Sequence, residues 1–186
     1  QGKCQLVAMP VMAIQNDQFD DAPTYSDIPG KYYSYTIVHK DSSIKNWDDL
    51  RGKSYVYNDQ TSNSGYNMPR YKLIQLGANK WEDHFSKILV SGNHEESIRM
   101  VSNGQVDASS VDSLVLDYDR HNDNVDALNV RIIEVLFQGG AGIPPIVVNN
   151  TVDAKLRQQL QDVLTNMHKD ADGRKLLSKA LIDRFA

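Results

Sequence analysis

The feature that most constrains the fold is a regular alternation of strand-like and helix-like segments between residues 54 and 136. Strands are predicted at 54–57, 86–91, 106–111 and 131–136, with helices between them at 66–76, 93–103 and 113–121. Short apolar runs bounded by turn residues indicate the strands, and helical spacing of apolar side chains indicates the helices. This order predicts a sheet rich in parallel strands, with helices on its faces.

Three helix starts in this region carry polar residues, and each directly follows a strand. They lie at 61–65, 92–97 and 112–113. In sheets of this kind, ligands bind beyond the carboxyl ends of the strands. Free backbone N–H groups and the positive end of the helix dipole favour an anion at such a position. The three starts together predict a binding site for a small anion.

The first of these helix starts is rich in hydroxyl groups. Thr61, Ser62 and Ser64 stand between a predicted strand and a predicted helix. Their hydroxyls can bind an anion together with the free N–H groups. Alternatively, Ser64 or Asn63 merely caps the helix, as such residues commonly do. Both interpretations are open from this stretch alone.

Composition and spacing argue against several classes of function. The 186 residues are 40% apolar and carry a formal net charge of −4. No basic patch stands out, so nucleic acid is not an expected partner. No apolar run approaches the roughly twenty residues that cross a bilayer. The single cysteine, Cys4, excludes an internal disulfide.

Neither a metal site nor a catalytic site is predicted. His94 and Glu95 lack a second histidine at the spacing of a zinc helix, and the acidic segment 117–126 lacks the ordered ligands and glycine of a calcium loop. The segment is interpreted as a solvated turn. No nucleophile, base and orienting group occur at a recognisable spacing. We therefore expect no cofactor, no metal and no enzymatic activity.

Several blocks of sequence, taken together, resemble the phosphonate/phosphite-type solute-binding proteins of ABC importers. The blocks are YYSYTIV at 32–38, DLRGK at 49–53, NDQTSNSGY at 58–66, SGNHEESI at 91–98, NGQVDA at 103–108 and PPIVV at 144–148. The resemblance covers roughly residues 32–174. It is the combination of blocks that is specific, because each block alone is common.

The resemblance implies an α/β, two-lobed periplasmic-binding-protein-like fold with mixed sheets flanked by helices. It divides the chain into part of the first lobe at 1–49, the second lobe at 50–136, and a crossover with C-terminal helices at 137–186. Those helices are predicted at 153–169 and 173–182. Family members carry about one more strand-helix-strand unit before this point. The resemblance therefore implies an incomplete first lobe, with self-association or a complementing fragment.

The resemblance also implies a set of ligand-binding residues. In the family, an oxyanion head is bound by a tyrosine of the strand before the crossing, by Ser and Thr at the first helix start, and by the histidine of the second. An acidic residue at the third start receives an amine or hydroxyl. The matching residues are Tyr32, Thr61, Ser62, Ser64, His94 and Asp112, with Tyr33 as an alternative to Tyr32. His94 can instead be a surface residue, and Asp112 can be an N-cap.

The implied function is capture of a small oxyanion for an ABC permease, in the periplasm or at the cell surface. The oxyanion would be a phosphonate, phosphite or phosphate ester. A ligand-sensing domain of a signalling protein on the same fold is the alternative. Separately, EVLFQG at 134–139 matches the recognition site of a picornavirus-type protease. An engineered origin and an apolar strand followed by glycines are both open.

Overall fold

A computed structural model of the chain describes residues 3–13 and 30–186. The chain forms two compact units. Of the described residues, the first unit contains 3–13, 30–31 and 142–186, and the second contains 32–141. The chain passes from one unit to the other at the start of β3 (Lys31–His39) and at the end of β7 (Val130–Gly142).

The second unit is built on a five-stranded sheet. The strand order is β5-β4-β6-β3-β7, with β4 at Ser54–Tyr57, β5 at Lys87–Val90 and β6 at Ala108–Asp112. β4 runs parallel to β5 and β6, whereas β3 runs antiparallel to β6. The predicted α/β class with a mixed sheet is confirmed.

Helices connect the strands of the second unit in the predicted order. They are α1 (Met68–Gln75), preceded by a π-helical turn at Asn63–Asn67, then α2 (His94–Ser102), α3 (Ser113–His121) and α4 (Val125–Leu128). The α4 turn corrects the sequence interpretation, which left 117–126 as a solvated turn. Asn124 starts α4, because its side-chain oxygen accepts hydrogen bonds from the N–H groups of Asp126 and Ala127.

The core of the second unit combines stacked aromatic rings with a chain of buried hydroxyls. The rings of Tyr55 and Phe85 stack with their centroids 4.5 Å apart, and Trp47 packs against both. Trp47 Nε1 donates to Thr36 Oγ1 at 3.1 Å, and Thr36 Oγ1 lies 3.1 Å from Ser110 Oγ. Ser110 also accepts a hydrogen bond from Tyr55 Oη at 2.6 Å. Because these buried polar groups are paired, the strands can hold hydroxyl residues in the core.

The first unit contains two short antiparallel sheets and two helices. β1 (Cys4–Ala8) pairs with β8 (Ile146–Asn149), and β2 (Pro10–Met12) pairs with β9 (Ile182–Phe185). The helices are α5 (Ala154–Asn166), extended by a 3-10 turn at Met167–Lys169, and α6 (Ala171–Lys179). α5 and its extension match the helix predicted at 153–169, and α6 ends earlier than predicted.

The early end of α6 corrects the prediction of a helix at 173–182. Leu181 adopts a positive φ of 53°, which interrupts the helix, and the next residues enter β9. Met9 and Ala186 then exchange backbone hydrogen bonds, with N···O distances of 2.7 and 2.9 Å. This strand was missed because its partner lies near the other end of the chain, which local periodicity does not report.

Two further boundaries differ from the sequence interpretation. Residues 32–49 were assigned to the first lobe, but β3 pairs with β6, so these residues belong to the second unit. The strand predicted at 131–136 continues to Gly142, and the protease-site-like residues 134–139 lie within it. Among the described helices, none is long and apolar enough to cross a membrane.

Candidate ligand-binding site

The hydroxyl-rich turn after β4 forms the first helix start. Ser62 is the N-cap, because its Oγ accepts a hydrogen bond from the backbone N–H of Gly65 at 3.0 Å. The chain then makes the π-helical turn and continues as α1. The interpretation in which Ser64 or Asn63 caps this helix is wrong, since the capping oxygen belongs to Ser62.

The two other hydroxyl residues of this turn have different surroundings. Ser64 is 2% exposed, and its backbone carbonyl accepts a hydrogen bond from the Ser34 hydroxyl at 2.6 Å. Thr61 is exposed, and its N–H and hydroxyl both donate to Oδ1 of Asp59, at 2.7 and 2.5 Å. These two bonds hold the pKa of Asp59 below its ordinary value. Ser64 is therefore fixed at the helix start, whereas the Thr61 hydroxyl is engaged with a carboxylate.

His94 is the first residue of α2, the second helix start. The N-cap is Asn93, whose side chain accepts a hydrogen bond from Glu96 N–H at 2.7 Å. The imidazole Nδ1 of His94 accepts a hydrogen bond from the backbone N–H of Asp112 at 3.1 Å. The same Nδ1 contacts the side-chain amide nitrogen of Asn58. The ring is thus held on one side by two other parts of the unit.

Burial lowers the pKa of His94 below its ordinary value, and the nearby carboxylates of Glu95 and Asp59 oppose this effect. The net direction favours a neutral imidazole at neutral pH. A neutral ring with a hydrogen-bonded Nδ1 carries its proton on Nε2, where it can donate to an anion.

Asp112 begins α3, the third helix start. Its Oδ1 accepts a hydrogen bond from Leu114 N–H at 2.8 Å, so it is an N-cap. Burial raises the pKa of Asp112 to about 6, with the Leu114 hydrogen bond acting in the opposite direction and Asp117 adding to the rise. The capping interpretation is confirmed, and contact with a ligand amine stays a prediction.

The two adjacent tyrosines of β3 differ in what they reach. Tyr32 Oη accepts a hydrogen bond from the side-chain amide of Asn63 at 3.1 Å, which connects it to the first helix start. The backbone N–H of Tyr33 donates to the Ser113 hydroxyl at 2.9 Å. Successive side chains of a strand point to opposite faces. Tyr32 is therefore the tyrosine whose hydroxyl lies at the hydroxyl-rich turn.

Asn58, the residue after β4, joins the first and second helix starts. It is 1% exposed, and its backbone carbonyl accepts a hydrogen bond from Gly92 N–H at 2.7 Å. Its side-chain oxygen accepts a hydrogen bond from the Ser97 hydroxyl at 3.2 Å. A Cβ at Gly65 would lie 2.4 Å from Cγ of Asn58, so only glycine allows this close approach. Asn58 also contacts His94, so its side chain touches both the first and the second helix start.

Comparison with known proteins identifies the family of this chain. The sequence profile described as "ABC transporter, phosphonate, periplasmic substrate-binding protein" matches residues 4–186. The chain belongs to this family.

Relatives within the phosphonate-binding family agree with the match. The phosphonates-binding periplasmic protein of Escherichia coli (strain K12) is 26% identical over 186 residues, which is 94% of this chain and 52% of that protein. A binding protein of an ABC phosphonate transporter from Pseudomonas aeruginosa superimposes with a TM-score of 0.79 at 22% identity, covering 98% of this chain and 57% of that one. The chain thus spans about half the length of the curated relative.

A third relative has a bound ligand in its solved structure. PhnD1 from Prochlorococcus marinus (MIT 9301), in complex with methylphosphonate, superimposes with a TM-score of 0.72 at 20% identity. The superposition covers 100% of this chain and 66% of that one. At this level of identity, the likeness establishes a shared fold.

Sequence reasoning about this phosphonate-binding family member found the helix starts but missed the residues that connect them. Asn58 and Ser97 were not singled out, and neither was Ser34, which is fully buried and bonds to Ser64. One signal was available for Asn58, because a polar residue directly follows the apolar strand β4. No local signal marks Ser34 or Ser97, since their partners are distant in sequence.

A groove of about 500 Å³ lies beside the first helix start. Asn63 lines it together with the side of α1 and the end of β7, and its apolar lining includes Met68, Tyr71 and Phe137. The ion pair between Lys72 and Glu134, 2.5 Å long, also borders it. In residues 3–13 and 30–186, no group of three or more His, Cys, Asp or Glu could hold a metal ion.

Proposed function

We propose that this chain forms the anion-binding part of an extracytoplasmic solute-binding protein, which captures a small phosphorus oxyanion for an ABC importer. The observation that carries the proposal is the convergence of helix starts at Asn58. There, the hydroxyl-rich turn of α1, His94 of α2 and the Asp112 cap of α3 are linked through direct contacts. Family membership supports the same function.

The proposed roles follow from the hydrogen-bond donors that each side chain can still offer to an anion. Ser62 and Ser64 offer hydroxyls at the start of α1, where backbone N–H groups and the helix dipole also favour an anion. His94 offers Nε2–H, and Tyr32 offers its Oη–H, since that oxygen accepts from Asn63. Thr61 has the weakest claim, because its hydroxyl proton is donated to Asp59.

Asp112 is proposed to select among oxyanions. A carboxylate near a bound anion repels it but attracts an ammonium group on the same ligand. We therefore propose that Asp112 receives an amine or hydroxyl of the ligand above pH 6, while it continues to cap α3.

The groove beside Asn63 supports a ligand with an organic substituent. Its apolar lining can cover carbon atoms that bare phosphite or phosphate lacks, and Asn63 connects it to Tyr32 of the anion site. We propose a phosphonate or phosphate ester as the ligand class.

The proposed partners are an ABC permease and a second polypeptide surface. Family membership supports delivery of the ligand to a permease. Apolar side chains of α5 remain exposed in the first unit, which supports burial against another copy or a complementing fragment. A periplasmic or cell-surface location follows from the same family type.

Calorimetry of the folded chain tests the proposed function. The panel contains phosphite, phosphate, sulfate, methylphosphonate, 2-aminoethylphosphonate and phenylphosphonate. We expect binding of at least one organic phosphonate, with weaker binding of sulfate. No heat with any phosphorus oxyanion, on protein whose fold is verified by circular dichroism, would refute the proposal.

Ser64→Ala supplies the matched test of the site. A hydrogen bond to a charged group contributes about 1.5–3 kcal/mol, so affinity should fall roughly ten- to a hundred-fold. Capping belongs to Ser62, so we expect little change in melting temperature from Ser64→Ala. Ser178→Ala on the exposed face of α6 is the control, and an equal affinity loss in both variants would contradict the role of Ser64.

A further inference from the structure

Asn58 occupies a position from which one side chain can control the chemistry of another. It directly follows β4, is 1% exposed and reaches His94 at the start of α2. Its carboxamide has a donor end and an acceptor end, and the two ends face different partners. The acceptor oxygen receives the Ser97 hydroxyl at 3.2 Å, so the donor nitrogen faces Nδ1 of His94.

The backbone N–H of Asp112 is one of two donors that determine which ring nitrogen of His94 carries the proton. Asp112 N–H points at Nδ1 with an N···N distance of 3.1 Å. A backbone amide can only donate a hydrogen bond, so Nδ1 must present its lone pair. In a neutral imidazole, the proton is then on Nε2. The orientation of the Asn58 amide agrees with this tautomer, because its nitrogen also offers a proton to Nδ1.

The orientation of Asn58 is itself fixed by hydroxyl groups. Ser97 Oγ lies 2.7 Å from Ser91 Oγ, and either oxygen can be the donor. When Ser91 donates to Ser97, the single proton of Ser97 is available for Oδ1 of Asn58, at 3.2 Å. Rotation of the Asn58 amide would place its oxygen against the lone pair of His94 Nδ1, which is unfavourable.

We infer that Asn58 is a positioning residue that, together with the backbone N–H of Asp112, holds His94 as the Nε2–H tautomer, so that the histidine offers an oxyanion an uncharged hydrogen-bond donor. Asn58 acts through His94, and the inference rests on the proposed function for its ligand. The charged groups that surround His94 are Glu95 on its own helix, Asp59 beyond β4 and Asp112 at the start of α3.

The same side chain also sets the geometry of the first helix start. Cγ, Oδ1 and Nδ2 of Asn58 would lie 2.4, 2.6 and 2.7 Å from a Cβ at Gly65. Gly65 in turn donates to the Ser62 cap. A neutral planar carboxamide fits between Gly65 and His94, and any larger or branched residue would displace one of them.

Nitrogen NMR of the histidine rings tests the inference without ligand. In the unaltered protein at pH 7.5, we expect His94 to have a protonated Nε2 and an unprotonated Nδ1, with the resonance assigned by its loss in His94→Gln. A protonated Nδ1 would overturn the inference. This measurement needs no substitution at Asn58, so a protonated Nδ1 contradicts the inference even if variants at that position misfold.

Asn58→Asp tests whether the carboxamide is responsible. The carboxylate has nearly the same shape but accepts instead of donating, so it favours a proton on Nδ1. We expect the pKa of His94 to rise by at least about one unit, which corresponds to about 1.4 kcal/mol, and Nδ1 to become protonated. An unchanged titration of His94 in folded Asn58→Asp would overturn the inference. Ser102→Ala, which removes a hydroxyl that bonds to Asp126, is the control and should leave His94 unchanged.

Affinity for methylphosphonate distinguishes this inference from the proposed function. We expect Asn58→Asp to weaken binding by about tenfold or more, because a carboxylate is added beside the anion and the donor is altered. If the unaltered protein has the expected tautomer and Asn58→Asp moves the proton to Nδ1, but no oxyanion binds, the proposed function fails while the role of Asn58 stands. If oxyanions bind but Nδ1 carries the proton, the role of Asn58 fails alone.

Discussion

At the scale of single residues, neighbouring side chains of the hydroxyl-rich turn have separate tasks. Ser62 caps the helix through Gly65, Thr61 bonds to Asp59, and Ser64 is buried with its carbonyl held by Ser34. The helix start is therefore complete before any ligand arrives. A site that is organised in advance loses less conformational entropy when it binds.

Asp112 gives the molecule a residue whose charge depends on pH near neutrality. Its pKa is raised by burial to about 6, from 3.8. A carboxyl with a higher pKa in the folded state holds its proton more tightly when folded. Its contribution to stability is therefore complete below about pH 4 and is lost as the pH rises through about 6.

We predict that Asp112→Asn removes this loss. Asn is as good an N-cap as Asp, so the helix start is retained while the charge disappears. The stability of Asp112→Asn, measured as its free energy of unfolding minus that of the unaltered protein, should be about 2 kcal/mol greater at pH 7 than at pH 4. This value corresponds to a shift of roughly two pKa units. Urea unfolding at pH 4, 5.5 and 7 measures the difference.

The control for this prediction is Ser178→Ala on the exposed face of α6, which removes no titratable group. It should give nearly the same difference from the unaltered protein at every pH. If the Asp112→Asn difference is also independent of pH, the buried carboxyl does not titrate as described.

The sequence indicated candidate site residues but not the contacts that hold them. His94 and Asp112 were singled out as neighbours of a ligand, and the structure joins them through Nδ1 of the ring. Asn58 was not singled out, although it contacts His94 and the start of α1. The reason is physical: its role depends on parallel pairing of β4 with β6, which fixes the helix starts side by side.

At the scale of elements, the sheet of the second unit holds hydroxyl residues in its interior. Ser110 of β6 is 0% exposed and accepts from Tyr55 of β4, while Thr36 of β3 connects it to Trp47. The chain of hydroxyls therefore crosses three adjacent strands. Its members fix the register of those strands, because a shift by one residue would separate the partners.

We predict that Ser110→Ala destabilises the second unit by about 1–3 kcal/mol, because the buried Tyr55 hydroxyl loses its acceptor. Chemical unfolding measures the effect, and Ser178→Ala on α6 is the control, with an expected change within about 0.5 kcal/mol.

The double variant Tyr55→Phe with Ser110→Ala sharpens this prediction. Removing both partners leaves no unpaired hydroxyl between them, so the double variant should lose less stability than Ser110→Ala alone. A double variant that is less stable by the sum of the two single effects would contradict the proposed pairing.

Local patterns predicted some elements well and others poorly. The helix predicted at 113–121 coincides with α3, because a cap and helical apolar spacing are both local signals. The helix predicted at 173–182 ran into the first residue of β9 and the strand itself was not predicted, because its partner β2 is distant in sequence. The boundary at residue 50 was displaced for the same reason, since β3 joins the second unit only through β6.

At the scale of the whole molecule, the first unit leaves apolar side chains of α5 exposed. α5 has no buried residue, and Leu156, Leu160 and Val163 on it are 45%, 38% and 66% exposed. Adjacent apolar side chains at helical spacing normally face another surface.

We predict that the chain associates, either with a second copy or with a complementing fragment. Light scattering at micromolar concentration should report a mass above that of the monomer, because burial of these side chains contributes roughly 25 cal/mol per Å². Leu160→Asp should shift the distribution towards monomer. Gln159→Glu adds the same charge at the adjacent exposed position and should not. A folded monomer at all concentrations tested would refute the prediction.

The pairing of β2 with β9 also has a consequence for the order of events during synthesis. Residues 32–141 form a unit whose strands all lie within one continuous stretch, so it can assemble while later residues are still being made. β1 and β2 need partners at Ile146–Asn149 and Ile182–Phe185. Their backbone edges therefore stay open to other chains until those residues have been made. Among the described strands, the earliest to be synthesised are the last to be paired.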